Sequence, residues 1–292
     1  MSPRSLAARL GVLATVAALA ALAGPGAAHA APGRPVRDTV REAADGLPGH
    51  TVYRPADLRA LPRGGVPVIA YGNGACAASN LPAVTFLTGL ASQGYIVIAH
   101  GAPDSFPVPS SPETTTAHPE ELLAAIDWAT SSPAARRQLD GRVDPARIGV
   151  LGHSCGGIEA LAAGTDPRIG AVAGFNTGYL PEPAFGGYGR DRLADLHSPV
   201  LLVHGGPDDV AYRNSIDNHR LLTVPAVLAG HESVGHSGLV SGEEATTGWQ
   251  IAADWFDFAL RGDRRAGATF LGDDCGLCAE PGWTVESKGL SL

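Results

Sequence analysis

Beyond its first thirty residues the sequence has no apolar run long enough to span a bilayer, so no further membrane helix is expected. Positive charge is also scarce: Lys and Arg number 21 against 29 Asp and Glu, for a formal charge of −8. Such a surface does not favour nucleic acid or anionic membranes. There is no internal repeat and no domain-length linker, which excludes a solenoid and a string of modules. Cysteine is limited to four positions, Cys76, Cys155, Cys275 and Cys278.

What is present begins with a leader. Arg4 and Arg9 run into "LGVLATVAALAALAG", and the stretch ends on "AAHA", with Ala28 and Ala30 framing a small-residue cleavage site. This pattern predicts a secretory signal peptide over residues 1–30 and an extracellular mature protein. Loss of Arg4 and Arg9 with the leader takes the formal charge from −8 to −10. The remaining chain, 31–292, suits one α/β domain with a cysteine-containing tail over 263–292, and 45% hydrophobic residues can supply its core. In an exported chain four cysteines predict disulfides. The "CGLC" at 275–278 lacks the following helix that lowers a thiol pKa in redox motifs, so it reads as a loop staple.

Six short runs rich in Val and Ile recur: "VPVIAY" (66–71), "YIVIAH" (95–100), "RIGVLG" (147–152), "IGAVAGF" (169–175), "PVLLVHG" (199–205) and "VPAVLAG" (224–230). Each is continuous rather than alternating, as strands covered on both faces are. Between them lie helical candidates at 81–92, 119–131, 155–164, 213–222 and 243–260. In the last of these Trp249, Ala252, Ala253, Phe256 and Leu260 form one apolar stripe. Strand followed by helix, repeated, predicts an α/β fold with a mostly parallel central sheet and helices on both faces. Two irregular stretches, 101–119 and 177–190, follow strands whose C-terminal ends would face an active site; solvent loops would explain them as simply.

Gly152-His153-Ser154-Cys155-Gly156 fits G-x-S-x-G where a strand ends and a helix begins, the context that defines a nucleophile elbow. Ser154 is its centre, and Cys155 is out of register. A serine hydroxyl near neutral pH needs a histidine to take its proton and a carboxylate to orient that histidine. On this architecture the order is serine, acid, histidine. The run "PVLLVHG" leads into "GPDDVAY", offering Asp208 and Asp209, and the next leads into "HESVGHSG", offering His231 and His236. His236, in the loop beyond the strand, is the favoured base; Asp208 and Asp209 both remain candidates. His153, His100 and His204 read as structural or cleft-lining.

Acyl transfer also needs donors for the developing oxyanion. One is the N–H of Cys155, and the other falls in the glycine-rich loop "GNGAC" as the N–H of Ala75 or Cys76, with Asn73 and Gly74 shaping the turn. If these loops meet, Cys76 and Cys155 lie close in space. A Cys76–Cys155 disulfide clamping the two donors is therefore expected, with Cys275–Cys278 closing a small loop. Tyr71, Asn73, Asn176 and Tyr179 are candidate substrate-binding residues.

On "YGNGACAASN", "LASQGYIVIAHGAP", "DPARIGVLGHSCGG", "HGGPDDVAY" and "VGHSG", the chain resembles α/β hydrolases of the dienelactone hydrolase, cutinase and polyester hydrolase type over about residues 50–262. The tail "FLGDDCGLCAEPGWTVESKGL" is similar to the ends of a group of exported bacterial and fungal members. In that group the position of Asp208 is often not acidic, so the resemblance moves the choice of acid to Asp209. Dienelactone hydrolases carry cysteine at the elbow centre, where this chain has Ser154, so lactone chemistry is not implied. Cutinases and polyester hydrolases place an aromatic residue in the oxyanion loop; "GNGAC" has none, so polyester specificity is not implied either.

The resulting expectation is an exported serine hydrolase of carboxylic esters that uses no metal or organic cofactor. Its substrate would be a small-molecule or polymeric ester. A non-catalytic binding module on the same fold is the rival of a different class, and it has no reason to retain Ser, Asp and His in the required order. A peptidase or amidase would use the same residues. No large inserted lid is visible, which favours an open cleft.

Overall fold

The computed structural model describes residues 36–106 and 115–292. The expected signal peptide and residues 107–114 of the first irregular stretch lie outside the described residues.

Among the described residues nine strands form one sheet: β1 (Thr39–Ala43), β2 (His50–Pro55), β3 (Val66–Gly72), β4 (Ile96–His100), β5 (Val143–His153), β6 (Ile169–Phe175), β7 (Val200–His204), β8 (Ala226–His231) and β9 (Trp283–Lys288). Their order is β1-β2-β4-β3-β5-β6-β7-β8-β9. The pairs from β4 across to β8 are all parallel, while β1–β2, β2–β4 and β8–β9 are antiparallel. The helices are α1 (Val84–Ser92), α2 (Pro119–Ser131), α3 (Pro133–Gln138), α4 (Cys155–Ala163), α5 (Tyr212–Leu221), α6 (Ala245–Arg261) and α7 (Arg264–Gly267).

Side-chain alternation along the central strands divides the core in two. Val68, Ala70, Ile96, Ile98, Ile148, Val150, Val200 and Leu202 pack on one face with α2 and α4 residues. Ile69, Tyr71, Val97, Ala99, Leu151, Leu201 and Val203 pack on the other with α1 and α6 residues. Both faces are covered, which is why the central stretches of these strands run apolar without alternation. Helix α6 turns Ala252, Ala253 and Phe256 inward as its stripe predicts. Its fully buried Trp255 donates Nε1–H to Val172 O at 3.0 Å. Left-handed Gly262 ends the helix, where φ is +69°.

The strands that the sequence pattern did not reveal are β1, β2 and β9, at the two edges. Strand β9 alternates partly buried Trp283 and Val285 with exposed Thr284 and Glu286, since only one of its faces meets the core. It pairs Trp283 with His231 and Lys288 with Ala226. The tail therefore completes the sheet and is more than a stapled loop. Lys288 caps it by donating Nζ–H to the carbonyls of His219 and Leu222, at 2.5 and 2.6 Å, where α5 ends. Among the described residues no helix is long and apolar enough to cross a membrane.

The parallel register sets the C-terminal ends of three strands abreast. Gly72 of β3 pairs with Gly152 of β5, which pairs with Gly174 of β6. The loops after these ends carry the residues described next.

Candidate active site

Ser154 joins β5 to α4 with φ +54° and ψ −121°, a conformation that side chains rarely adopt. Its N–H donates to Phe175 O at 2.9 Å, and its carbonyl accepts from Thr177 Oγ1 at 2.7 Å. The flanking glycines allow the close approach that makes this turn. A Cβ on Gly152 would sit 1.9 Å from Gly156 O, and one on Gly156 would sit 2.1 Å from Gly72 C. Strand and helix backbones occupy the space that any side chain would need.

The Ser154 Oγ lies 2.9 Å from His236 Nε2, and His236 Nδ1 lies 2.6 Å from Asp209 Oδ1. The carboxylate can only accept, so Nδ1–H donates to it and Nε2 is left to accept from the serine hydroxyl. Asp209 also accepts from Ala211 N–H at 2.9 Å, Gly205 N–H at 3.1 Å and Asn176 Nδ2 at 2.7 Å. Burial opposes its ionisation, but the His236 bond and these donors outweigh it and hold the carboxyl at about 2. Asp208 is exposed. His231 packs edge-on against Trp283, with ring centroids 5.2 Å apart, and accepts from Ser233 N–H. Of each sequence pair, then, only Asp209 and His236 join Ser154.

Cys76 and Cys155 form a disulfide with Cα atoms 5.1 Å apart, and Cys275 and Cys278 form a second. Ala75 and Cys76 both have left-handed backbones, φ +57° and +48°. The Cys76 N–H is committed to Asn73 O at 3.1 Å, so of the two loop candidates only Ala75 keeps its N–H for another acceptor. The N–H of Cys155 opens α4 and has no partner within that helix.

All four residues expected to bind substrate are buried in the structure. Tyr71 lies on the α1 face of the sheet against Phe86, ring centroids 6.3 Å apart, and burial pushes its phenol far up. Asn73 spends Nδ2 on Ala77 O and His100 O, at 2.8 and 2.7 Å, which shapes the loop. Tyr179 is fully buried among core residues and gives its N–H to Asn218 Oδ1 at 2.7 Å. Asn176 donates to Asp209 Oδ2. The irregular stretches do meet one another: Ala117 N–H donates to Phe185 O at 3.1 Å.

Two buried ionisable groups flank the elbow. His153 donates Nε2–H to His236 O at 2.8 Å, and burial lowers its imidazole to about 4. Glu159, on α4, accepts the His118 N–H at 2.9 Å, and burial raises its carboxyl to about 7. Their linkage to stability has opposite signs. Below pH 6.5 the unfolded chain binds a proton at position 153 that the folded protein refuses until about pH 4, so acidification through this window destabilises. Below about pH 7 folded Glu159 takes up a proton that the unfolded chain refuses until about pH 4.5, so acidification there stabilises. Glu159→Gln removes the second effect alone. Its stability relative to the parent is expected to fall by about 1.4 kcal/mol per pH unit between pH 7 and 4.5. Urea unfolding across this range measures it, and parallel curves for the two proteins would contradict it.

A mostly parallel sheet in the order above, with a strained serine between β5 and α4 and an acid and a histidine after β7 and β8, defines an α/β hydrolase. Within that class the chain belongs to the PET hydrolase-like (PETase) family, whose model matches residues 6–219. It is 33% identical over 230 residues to the bis(hydroxyethyl) terephthalate hydrolase of Streptomyces coelicolor, covering 71% of this chain and 66% of that protein. It is 30% identical over 148 residues to hydrolase ffsE of Aspergillus flavipes, covering 50% of this chain and 33% of that one. The chain thus spans just under two thirds of the first relative and a third of the second.

Proposed function

We propose that this chain hydrolyses carboxylic esters through an acyl-enzyme formed on Ser154, and that it does so outside the cell after its leader is removed. The hydrogen-bonded line from Ser154 Oγ through His236 to buried Asp209 carries the reading. As Oγ attacks the ester carbonyl, His236 Nε2 takes its proton, and Asp209 stabilises the imidazolium that forms. The N–H groups of Cys155 and Ala75 receive the developing oxyanion. Collapse of the tetrahedral intermediate expels the alcohol with the proton from His236, and water then releases the acid by the same steps.

The relative that acts on bis(hydroxyethyl) terephthalate supports a hydroxyalkyl ester of an aromatic acid as the first substrate to try. Export is supported by the leader sequence and by two disulfides. The test follows acid release from bis(hydroxyethyl) terephthalate and from a p-nitrophenyl alkanoate, beside the matching amides. Hydrolysis of the esters well ahead of the amides is expected. Equal rates would turn the reading towards an amidase, and no hydrolysis of either activated or simple esters would overturn it. A mature N-terminus at Ala31 in protein from the culture medium checks the export.

A further inference from the structure

The histidine of the proposed triad sits on an irregular loop beyond β8, which by itself would leave the imidazole free to wander. Two side chains from neighbouring strand ends hold that loop. The first is Asn176, fully buried just past β6 with φ +51°. Its N–H donates to Val203 O at 2.7 Å, and its Nδ2 donates both to Asp209 Oδ2, at 2.7 Å, and to Gly235 O, at 3.1 Å. The amide cannot be turned over, because Oδ1 would then face a carboxylate and a carbonyl, both acceptors. The second side chain is His153, whose Nε2 donates to His236 O at 2.8 Å. The carbonyls of two successive residues, Gly235 and His236, are thereby pinned from β6 and from β5. A third tie comes from β7: Gly235 N–H donates to Gly205 O at 2.8 Å, and a Cβ on Gly205 would lie 1.9 Å from Gly235 O.

We infer that Asn176 and His153 are positioning residues that set where the His236 imidazole stands, with one amide group of Asn176 fixing the acid and the histidine loop together. The inference rests on the triad reading above. Reaction rate is steep in such placement, a misplacement of about 1 Å costing on the order of 100-fold. Neither residue touches the reacting atoms, so loss of either acts on turnover rather than on substrate binding.

The test compares Asn176→Leu, His153→Leu and His153→Gln with the parent. Leucine keeps the branched four-atom outline of Asn176, at somewhat greater bulk, without its donors, and glutamine returns a donor near the position of the His153 Nε2. Loss of kcat by roughly 10- to 100-fold at an unchanged KM is expected in both leucine variants. His153→Gln should recover part of that loss. Proton NMR supplies a readout independent of any substrate. The parent should show the downfield resonance of the His236 Nδ1–H bonded to Asp209, absent in His236→Ala, and Asn176→Leu should shift or broaden it. Parental kcat together with an unmoved resonance in Asn176→Leu would overturn the inference. Should Asn176→Leu not fold, equal kcat in the parent, His153→Leu and His153→Gln would overturn it instead. A parent that shows the resonance yet hydrolyses no ester would count against the proposed function and leave the positioning role standing.

Discussion

Ester turnover in Ser154→Ala is expected to fall by about four orders of magnitude or more, with the fold and melting temperature close to those of the parent. The effect is large because in the proposed mechanism the hydroxyl is the group that forms and breaks the acyl bond, and no remaining residue would substitute for it. The reason for so little structural cost lies in what Ser154 otherwise does. Its structural hydrogen bonds use backbone atoms, the N–H to Phe175 O and the carbonyl to Thr177 Oγ1, and alanine keeps both. The positive φ is already borne by a residue with a Cβ, so alanine adds no new strain. Steady-state kinetics with thermal unfolding beside it checks both halves. Retained turnover in a folded variant would remove Ser154 from the mechanism.

The second large effect is expected from Cys76→Ser/Cys155→Ser. This disulfide closes a sequence separation of 79 residues, for which the chain-entropy relation gives about 4.5 kcal/mol of stabilisation. A drop in melting temperature of roughly 10 °C follows for a domain of this size. Activity should fall as well, by about 10-fold or more in kcat, with KM little changed. Ala75 and Cys76 stand consecutively at φ +57° and +48°, a pair of non-glycine residues in a region that each enters at a cost. With the crosslink gone the loop can relax to negative φ, which would carry the Ala75 N–H away from its proposed place at the oxyanion while the Cys155 N–H stays with its helix. Cys275→Ser/Cys278→Ser is the control, because that bond spans only three residues and joins neither of the two loops that carry Ala75 and Cys155. If the first variant kept the parental kcat, the disulfide would be a stability element alone.

How far the sequence could be read depends on how each part of the molecule meets its neighbours. Strands β3 to β8 lie between two helical layers, so they appear as unbroken apolar runs, and the sheet could be read from them. Edge strands such as β9 have one wet face and mix Glu286 and Lys288 with Trp283 and Val285, so no such run marks them. That Ser154, an acid and a histidine would meet could be expected because the hydrolase order ties each to a strand end, but that order left Asp208 and Asp209 level, and only the resemblance pointed to the Asp209 that bonds His236. The supporting contacts were not legible: Asn176 and Glu159 are polar residues whose burial depends on distant segments packing over them. The alternation rule, however, did carry a warning about Tyr71, since Ile69 and Tyr71 share a face and Ile69 is core. Similarly, the paired glycines of "HGG" after β7 mark a place where backbone meets backbone, and the partner proves to be the histidine loop.

The activation of Ser154 is tested most directly by the unreduced intact mass of the protein after treatment with a fluorophosphonate, beside Ser154→Ala. One adduct on the parent and none on the variant is the expected result. The unlabelled mass should fall four hydrogens short of the fully reduced chain, two for each disulfide. No adduct on the parent, or an adduct that persists in Ser154→Ala, would contradict an activated serine at this position.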